Sequence, residues 1–165
     1  MSLKGTPCIY QGEELGQTQT KIEFHEITDP PGKKFWPMDF GRDGCRTPLT
    51  WDENKKFAGF SKSKPWLPIK KEQLMNSAKM QLENRNSIYH FYKKFIFQRK
   101  KISYFYEEIT FSRNEKVLIF FRGNKKELCC IFNLSEKEIM IKNSYGKIVS
   151  SLPSQNIKSA SNELS

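Results

Sequence analysis

Residues 32–52, GKKFWPMDFGRDGCRTPLTWD, restrict the fold of this chain more than any other stretch. Gly32, Pro37, Gly41, Gly44 and Pro48 lie so close together that the block makes a poor helix and a poor strand, because Gly and Pro interrupt both. What remains is a loop that sets Arg42, Asp43, Arg46 and Asp52 among Phe35, Trp36, Phe40 and Trp51. A loop so rich in aromatics and paired charges lies over something, either a ligand or a scaffold.

The 165 residues are enough for one domain or a small pair, with a respectable core. A net charge of +10 invites a nucleic-acid reading, but its distribution weakens it. Residues 1–53 carry 6 basic and 9 acidic side chains, whereas residues 54–165 carry 22 and 9. The aromatic-rich half is therefore the acidic half. The basic excess is mostly lysine spread through a predicted helix and strands, the pattern of a solvated surface, so no nucleic-acid partner is expected. Cys8, Cys45, Cys129 and Cys130 show no zinc spacing, and neighbouring cysteines rarely bridge each other. Free thiols in a reducing compartment follow, with no metal and no cofactor expected. No apolar run is long enough to span a membrane and no signal-peptide core is visible, so the expectation is a cytoplasmic chain without a membrane partner.

Along the chain, residues 7–10 read as a short buried strand running into a turn at Gln11 and Gly12. Residues 18–31 look irregular, with Asp29, Pro30, Pro31 and Gly32 as a breaker. Residues 61–68 form another loop, pinned by Trp66 between prolines, and residues 71–80 suggest a polar helical turn or two. The best helix covers 86–101, with Asn86 as N-cap and Ile88, Phe91, Tyr92, Phe95 and Ile96 on one face. Lys93, Lys94, Arg99, Lys100 and Lys101 crowd its second half, where cations suit the macrodipole. Residues 109–112, 116–122 and 127–134 read as strands separated by turns at Arg113-Asn114 and Gly123-Asn124. Residues 138–142 and 147–150 are two further strand candidates, and 155–165 a frayed tail.

His25 and His90 are isolated, so Ser/His/Asp catalysis has no support. The serious chemical candidates are carboxylates: Glu13, Glu14, Asp39, Asp43 and Asp52. Glycoside cleavage needs two carboxyl groups flanking one bond. Adjacent Glu13 and Glu14 cannot straddle a substrate, and Glu14 is expected to accept hydrogen bonds from the turn or from an arginine. Arg42 and Arg46 are the better binding candidates, because guanidinium groups orient carboxylates and sugar hydroxyls without reacting. Arg42 with Asp43 can equally clamp the loop. Trp36, Trp51 and Trp66 can stack on sugar rings, though loop tryptophans more often plug the scaffold.

These residues resemble the α-glucosidase and oligo-1,6-glucosidase branch of glycoside hydrolase family thirteen, the α-amylase superfamily. The stretch GTPCIYQGEE at residues 5–14 resembles the eighth strand of that family's TIM (β/α)8 barrel. FWP and GRDGCRTP with the following Trp51 resemble the loop after it, and PWLP at 65–68 the approach to the last helix. The resemblance implies an α+β fragment. Residues 1–101 would hold the last barrel strand, active-site loop and last helix, and residues 102–165 a small antiparallel β-domain, complete or truncated. It implies a retaining α-glucosidase acting on terminal α-linked glucose of oligosaccharides or glucosides. The family's Asp nucleophile, Glu acid/base and supporting Asp match nothing here, so no catalytic residue is assigned and the chain alone is expected to be inactive. Arg42 resembles the arginine lining the glucose subsite beside the scissile bond, and Arg46 a supporting arginine. An unpaired barrel strand also predicts association with the rest of a barrel, or self-association. A non-catalytic interaction protein built on a glycosidase relic is the alternative, and a basic nucleic-acid-binding module a more distant one.

Overall fold

The computed structural model describes residues 1–114 and 116–141. The chain divides into two compact units: Cys8–Tyr92, and Met1–Pro7 together with the chain from Lys93 onward. Among the described residues, no helix is long and apolar enough to cross a membrane.

The unit Cys8–Tyr92 is made of short helices joined by ordered loops. Residues 7–10 pair with no strand among the described residues, and Pro7, Cys8 and Tyr10 are exposed. A parallel strand exists only through its neighbours, and none is available here to complete a ladder. The turn at Gly12 is where expected, and it leads into a 3-10 turn, Glu13–Leu15. Glu14 Oε2 accepts the Gly12 N–H at 3.0 Å, so this carboxylate closes its own turn, as its position in the sequence suggests.

Helix α1, Pro30–Phe35, occupies the stretch that reads as a breaker. The difference has a simple cause. A first-turn proline gives up an N–H that would have no intrahelical partner, and its fixed φ already suits a helix. Helices α2, Lys71–Leu74, and α3, Ala78–Glu83, account for the polar helical turns expected near 71–80. Ser77 caps α3 by accepting the Met80 N–H at 3.2 Å. The buried apolar side chains of this unit are Leu15, Ile22, Ile27, Leu49, Ala58 and Leu67. Aliphatics thus fill the interior, while Trp51 and Trp66 are 53% and 69% exposed and do not plug it. Leu67, not Trp66, anchors the proline-flanked loop.

Helix α4 runs Ile88–Lys101. The His90 N–H reaches Ser87 Oγ at 3.3 Å, so Ser87 caps the helix in place of Asn86. The second unit then forms a 3-10 turn, Ser103–Tyr106, and three strands: β1, Ile109–Ser112; β2, Leu118–Arg122; and β3, Leu128–Phe132. They pair antiparallel in the order β1-β2-β3, with Phe111 opposite Phe120 and Phe120 opposite Cys130. This agrees with the expected meander, with two of the strands trimmed by a few residues. Residues 138–141 carry no strand, while Lys142 and residues 147–150 and 155–165 lie outside the described residues.

Two buried arginines organise this second unit. Arg122, at the end of β2, is 0% exposed. It donates to the carbonyl oxygens of Ser2 at 2.6 Å, Glu107 at 2.8 Å, and Phe105. Arg99 is 5% exposed rather than solvated with its lysine neighbours. It donates to the carbonyls of Met1, Leu3 and Gly5, and lies over the rings of Phe105 and Tyr106. The guanidinium forks therefore satisfy main-chain acceptors of residues 1–5, which have no secondary-structure partners.

Candidate functional site

The loop that follows α1 is held by two aspartates. Asp43 is 0% exposed, and its Oδ2 accepts the Thr28 N–H at 2.6 Å, the Asp29 N–H at 2.8 Å and the Thr28 hydroxyl at 3.0 Å. Asp29, itself buried, reciprocates: Oδ2 accepts the Arg42 N–H at 3.3 Å and Oδ1 accepts Arg46 Nη1 at 3.0 Å. Two carboxylates thus tie residues 28–29 to residues 42–46 from both sides.

Two glycines make this closure sterically feasible. Gly41 sits at φ +67°, and a Cβ there would lie 2.4 Å from Asp29 Oδ2. A Cβ on Gly32 would lie 2.8 Å from the Phe40 carbonyl oxygen. Any larger residue at either position pushes the two sides apart.

Arg42 and Arg46 consequently have different surroundings. Arg46 is pinned to Asp29. Arg42 is tethered only through its main chain; its side chain is exposed, and among the described residues its guanidinium has no hydrogen-bond or ion-pair partner. The clamp that the sequence suggested for Arg42 with Asp43 is made instead by Asp29 with Arg46. Asp29 was legible only as part of a breaker, although Asp ahead of Pro-Pro is also a helix-start signal. Asp52 is paired elsewhere, 3.5 Å from Lys79, and Asp39 Oδ1 accepts the Gly41 N–H at 2.8 Å. Among the described residues, no group of three or more His, Cys, Asp and Glu is arranged to hold a metal ion.

Burial raises the cost of charging Asp43, but the N–H groups of Thr28 and Asp29, the Thr28 hydroxyl and the nearby Arg46 charge outweigh it. The carboxyl is held below its ordinary value of 3.8. A depressed folded pKa gives stability that is present above the unfolded value and lost as pH falls through the folded one. Acid should therefore loosen the loop below about pH 3.8. In a chain carrying Trp51→Phe and Trp66→Phe, both replaced residues being exposed, the emission of the remaining Trp36 followed against pH reports this, and Asp43→Asn should remove that component while lowering stability by about 1–3 kcal/mol at neutral pH.

Residues 1–108 match the family described as alpha amylase, catalytic domain, and the chain belongs to that family. It is 39% identical over 141 residues to a probable alpha-glucosidase of Rhizobium meliloti (strain 1021), covering 83% of this chain and 25% of the relative. An oligo-1,6-glucosidase of Parageobacillus thermoglucosidasius is 32% identical over 158 residues, covering 82% and 28%. Among solved structures, the alpha-glucosyl transfer enzyme XgtA superposes with a TM-score of 0.70 at 38% identity, over 74% of this chain and 23% of that one. The chain spans about a quarter of the length of the curated relatives it matches. Its solved neighbours are barrel enzymes of this family, and its helices with a small antiparallel sheet agree with the fold class read from the sequence.

Proposed function

We propose that this chain supplies the rim of a glucose pocket in a retaining α-glucosidase that removes terminal α-linked glucose from short oligosaccharides. The observation that carries the reading is the contrast within one loop. Arg46 is consumed by Asp29, while Arg42 is left with an exposed, unpartnered fork on a fixed main chain. A guanidinium presented in this way donates to sugar hydroxyls without entering the chemistry. Arg46 acts as the supporting arginine, through Asp29. The covalent chemistry of a retaining glycosidase requires a nucleophilic carboxylate and an acid/base carboxyl about 5 Å apart across the bond. No residue here matches either of them in the family, so the 165-residue chain alone binds at most and does not cleave. The four thiols, all free, favour a cytoplasmic setting.

The purified chain incubated with p-nitrophenyl α-glucoside is expected to release nitrophenol no faster than buffer. Release well above buffer, retained after Arg42→Ala, would contradict both the assignment of Arg42 and the absence of catalytic carboxylates.

A further inference from the structure

Asp29 breaks a local rule. It is the N-cap of α1, where an aspartate side chain ordinarily accepts an N–H from the first turn of its own helix. Here the side chain makes no such bond. The sequence removes most of the competition, because Pro30 and Pro31 fill the first two helical positions and neither has an N–H to donate. The carboxylate turns instead to the far side of the loop. Oδ2 takes the Arg42 N–H at 3.3 Å and Oδ1 takes Arg46 Nη1 at 3.0 Å. Departures from a locally favoured pattern concentrate at functional sites.

Asp29 is itself immobilised. It is buried, its N–H donates to Asp43 Oδ2 at 2.8 Å, and its carbonyl accepts the Lys33 N–H at 3.0 Å as α1 begins. Closing the loop does not require its carboxylate, because Asp43 already ties residues 28 and 29 to the same segment. What the Asp29 carboxylate adds is register. The approach is close enough that a Cβ on Gly41, the residue before Arg42, would lie 2.4 Å from Oδ2. Two oxygens of one fixed side chain therefore hold the Arg42 main chain and the Arg46 side chain in a single frame. On the other side the Arg42 carbonyl accepts the Cys45 N–H at 3.2 Å, a tether that does not depend on Asp29.

We propose that Asp29 is a positioning residue for α-glucosides: its carboxylate sets where the Arg42 fork stands against the terminal glucose. This rests on the reading of Arg42 as the contact to that glucose. A guanidinium carries its donors in a rigid fork, but on a long side chain whose placement follows its main chain. Fixing that main chain from a buried carboxylate prepares the fork before the sugar arrives, so less order has to be imposed on binding.

Amide hydrogen exchange in the 165-residue chain reads the hold on Arg42 directly. Asp29→Ala should speed exchange at the Arg42 amide by about tenfold or more, while the Met80 amide, capped by Ser77 in α3, keeps its protection. Asp29→Asn, which retains a side-chain oxygen for the Arg42 N–H, should preserve most of the protection. Unchanged exchange at Arg42 in Asp29→Ala, or an equal acceleration at Met80, overturns the positioning role of Asp29. A double-mutant cycle reads its consequence for glucosides, in a chimera where this chain replaces the matching quarter of the Rhizobium meliloti relative. Asp29→Ala should lower kcat/KM on an α-glucoside by about tenfold when Arg42 is present and by less than about twofold when Arg42→Ala has already been made. Losses that simply multiply mark a structural effect and overturn the role. If Arg42→Ala is costly but Asp29→Ala is not, the role of Asp29 falls and the Arg42 reading stands. If Arg42→Ala alone leaves kcat/KM within a few-fold, the Arg42 reading fails and the role of Asp29 falls with it.

Discussion

Arg122→Ala is expected to lower stability by about 3–5 kcal/mol, because it strands several buried acceptors at once. The guanidinium satisfies the carbonyls of Ser2, Phe105 and Glu107, which belong to two separate stretches of the unit containing the sheet, the first residues of the chain and the turn after α4. Each carbonyl left without a donor away from water costs about 1–3 kcal/mol, and the lost side chain leaves a cavity as well. Burial also makes the arginine's own charge expensive, as its lowered pKa indicates. Carbonyl dipoles, with no carboxylate hydrogen-bonded to it, compensate that charge. Arg122→Met separates the two costs, since it fills much of the volume but donates nothing. Methionine should recover only part of the loss, and lysine should fall short as well, because a single ammonium cannot reproduce the fork. Thermal unfolding of the 165-residue chain, followed in the far-UV, measures all three. Domains of this size have about 5–15 kcal/mol in total, so the alanine variant should lose a large fraction of its stability and unfold at a markedly lower temperature.

That arginine also shows where sequence reading stops. Strand β1 was legible to the residue, because Ile109, Thr110 and Phe111 have the β-branched and aromatic character of a strand ahead of a polar turn. Glu14 was legible because a carboxylate two residues past a turn glycine has an N–H within reach. Helix α4 was legible from its period, although its start lies at Ser87 rather than Asn86. Arg99 and Arg122 were not. Composition groups every arginine with the solvated lysines, and only tertiary structure shows which carbonyls lack donors. Residues 7–10 have the pattern of a buried parallel strand, but pattern supplies no hydrogen-bonding neighbours, and the described residues offer none. In the candidate site, Arg42 and Arg46 were visible as a pair four residues apart. What separates them is Asp29, 13 and 17 positions away along the chain, a distance no local pattern encodes.

Arg42→Ala should have little effect on the fold and a large effect on catalysis where the catalytic carboxylates are present. The side chain is exposed and unpartnered, so its removal leaves no buried group unsatisfied. Arg46→Ala, by contrast, leaves the buried Asp29 carboxylate without its cation and should loosen the loop itself. If Arg42 grips the terminal glucose, one or two charge-assisted hydrogen bonds are lost, each worth about 1.5–3 kcal/mol. A loss of about 2.7 kcal/mol corresponds to about a hundredfold in rate. The setting for the measurement is a chimera in which this chain replaces the matching quarter of the Rhizobium meliloti relative, with which it shares 39% identity. The decisive quantity is kcat/KM of that chimera on an α-glucoside before and after Arg42→Ala, with the far-UV spectrum checked in each. A chimera that hydrolyses the glucoside and loses about a hundredfold with Arg42→Ala is the predicted result. A folded chimera that keeps its kcat/KM within a few-fold after the substitution would contradict it.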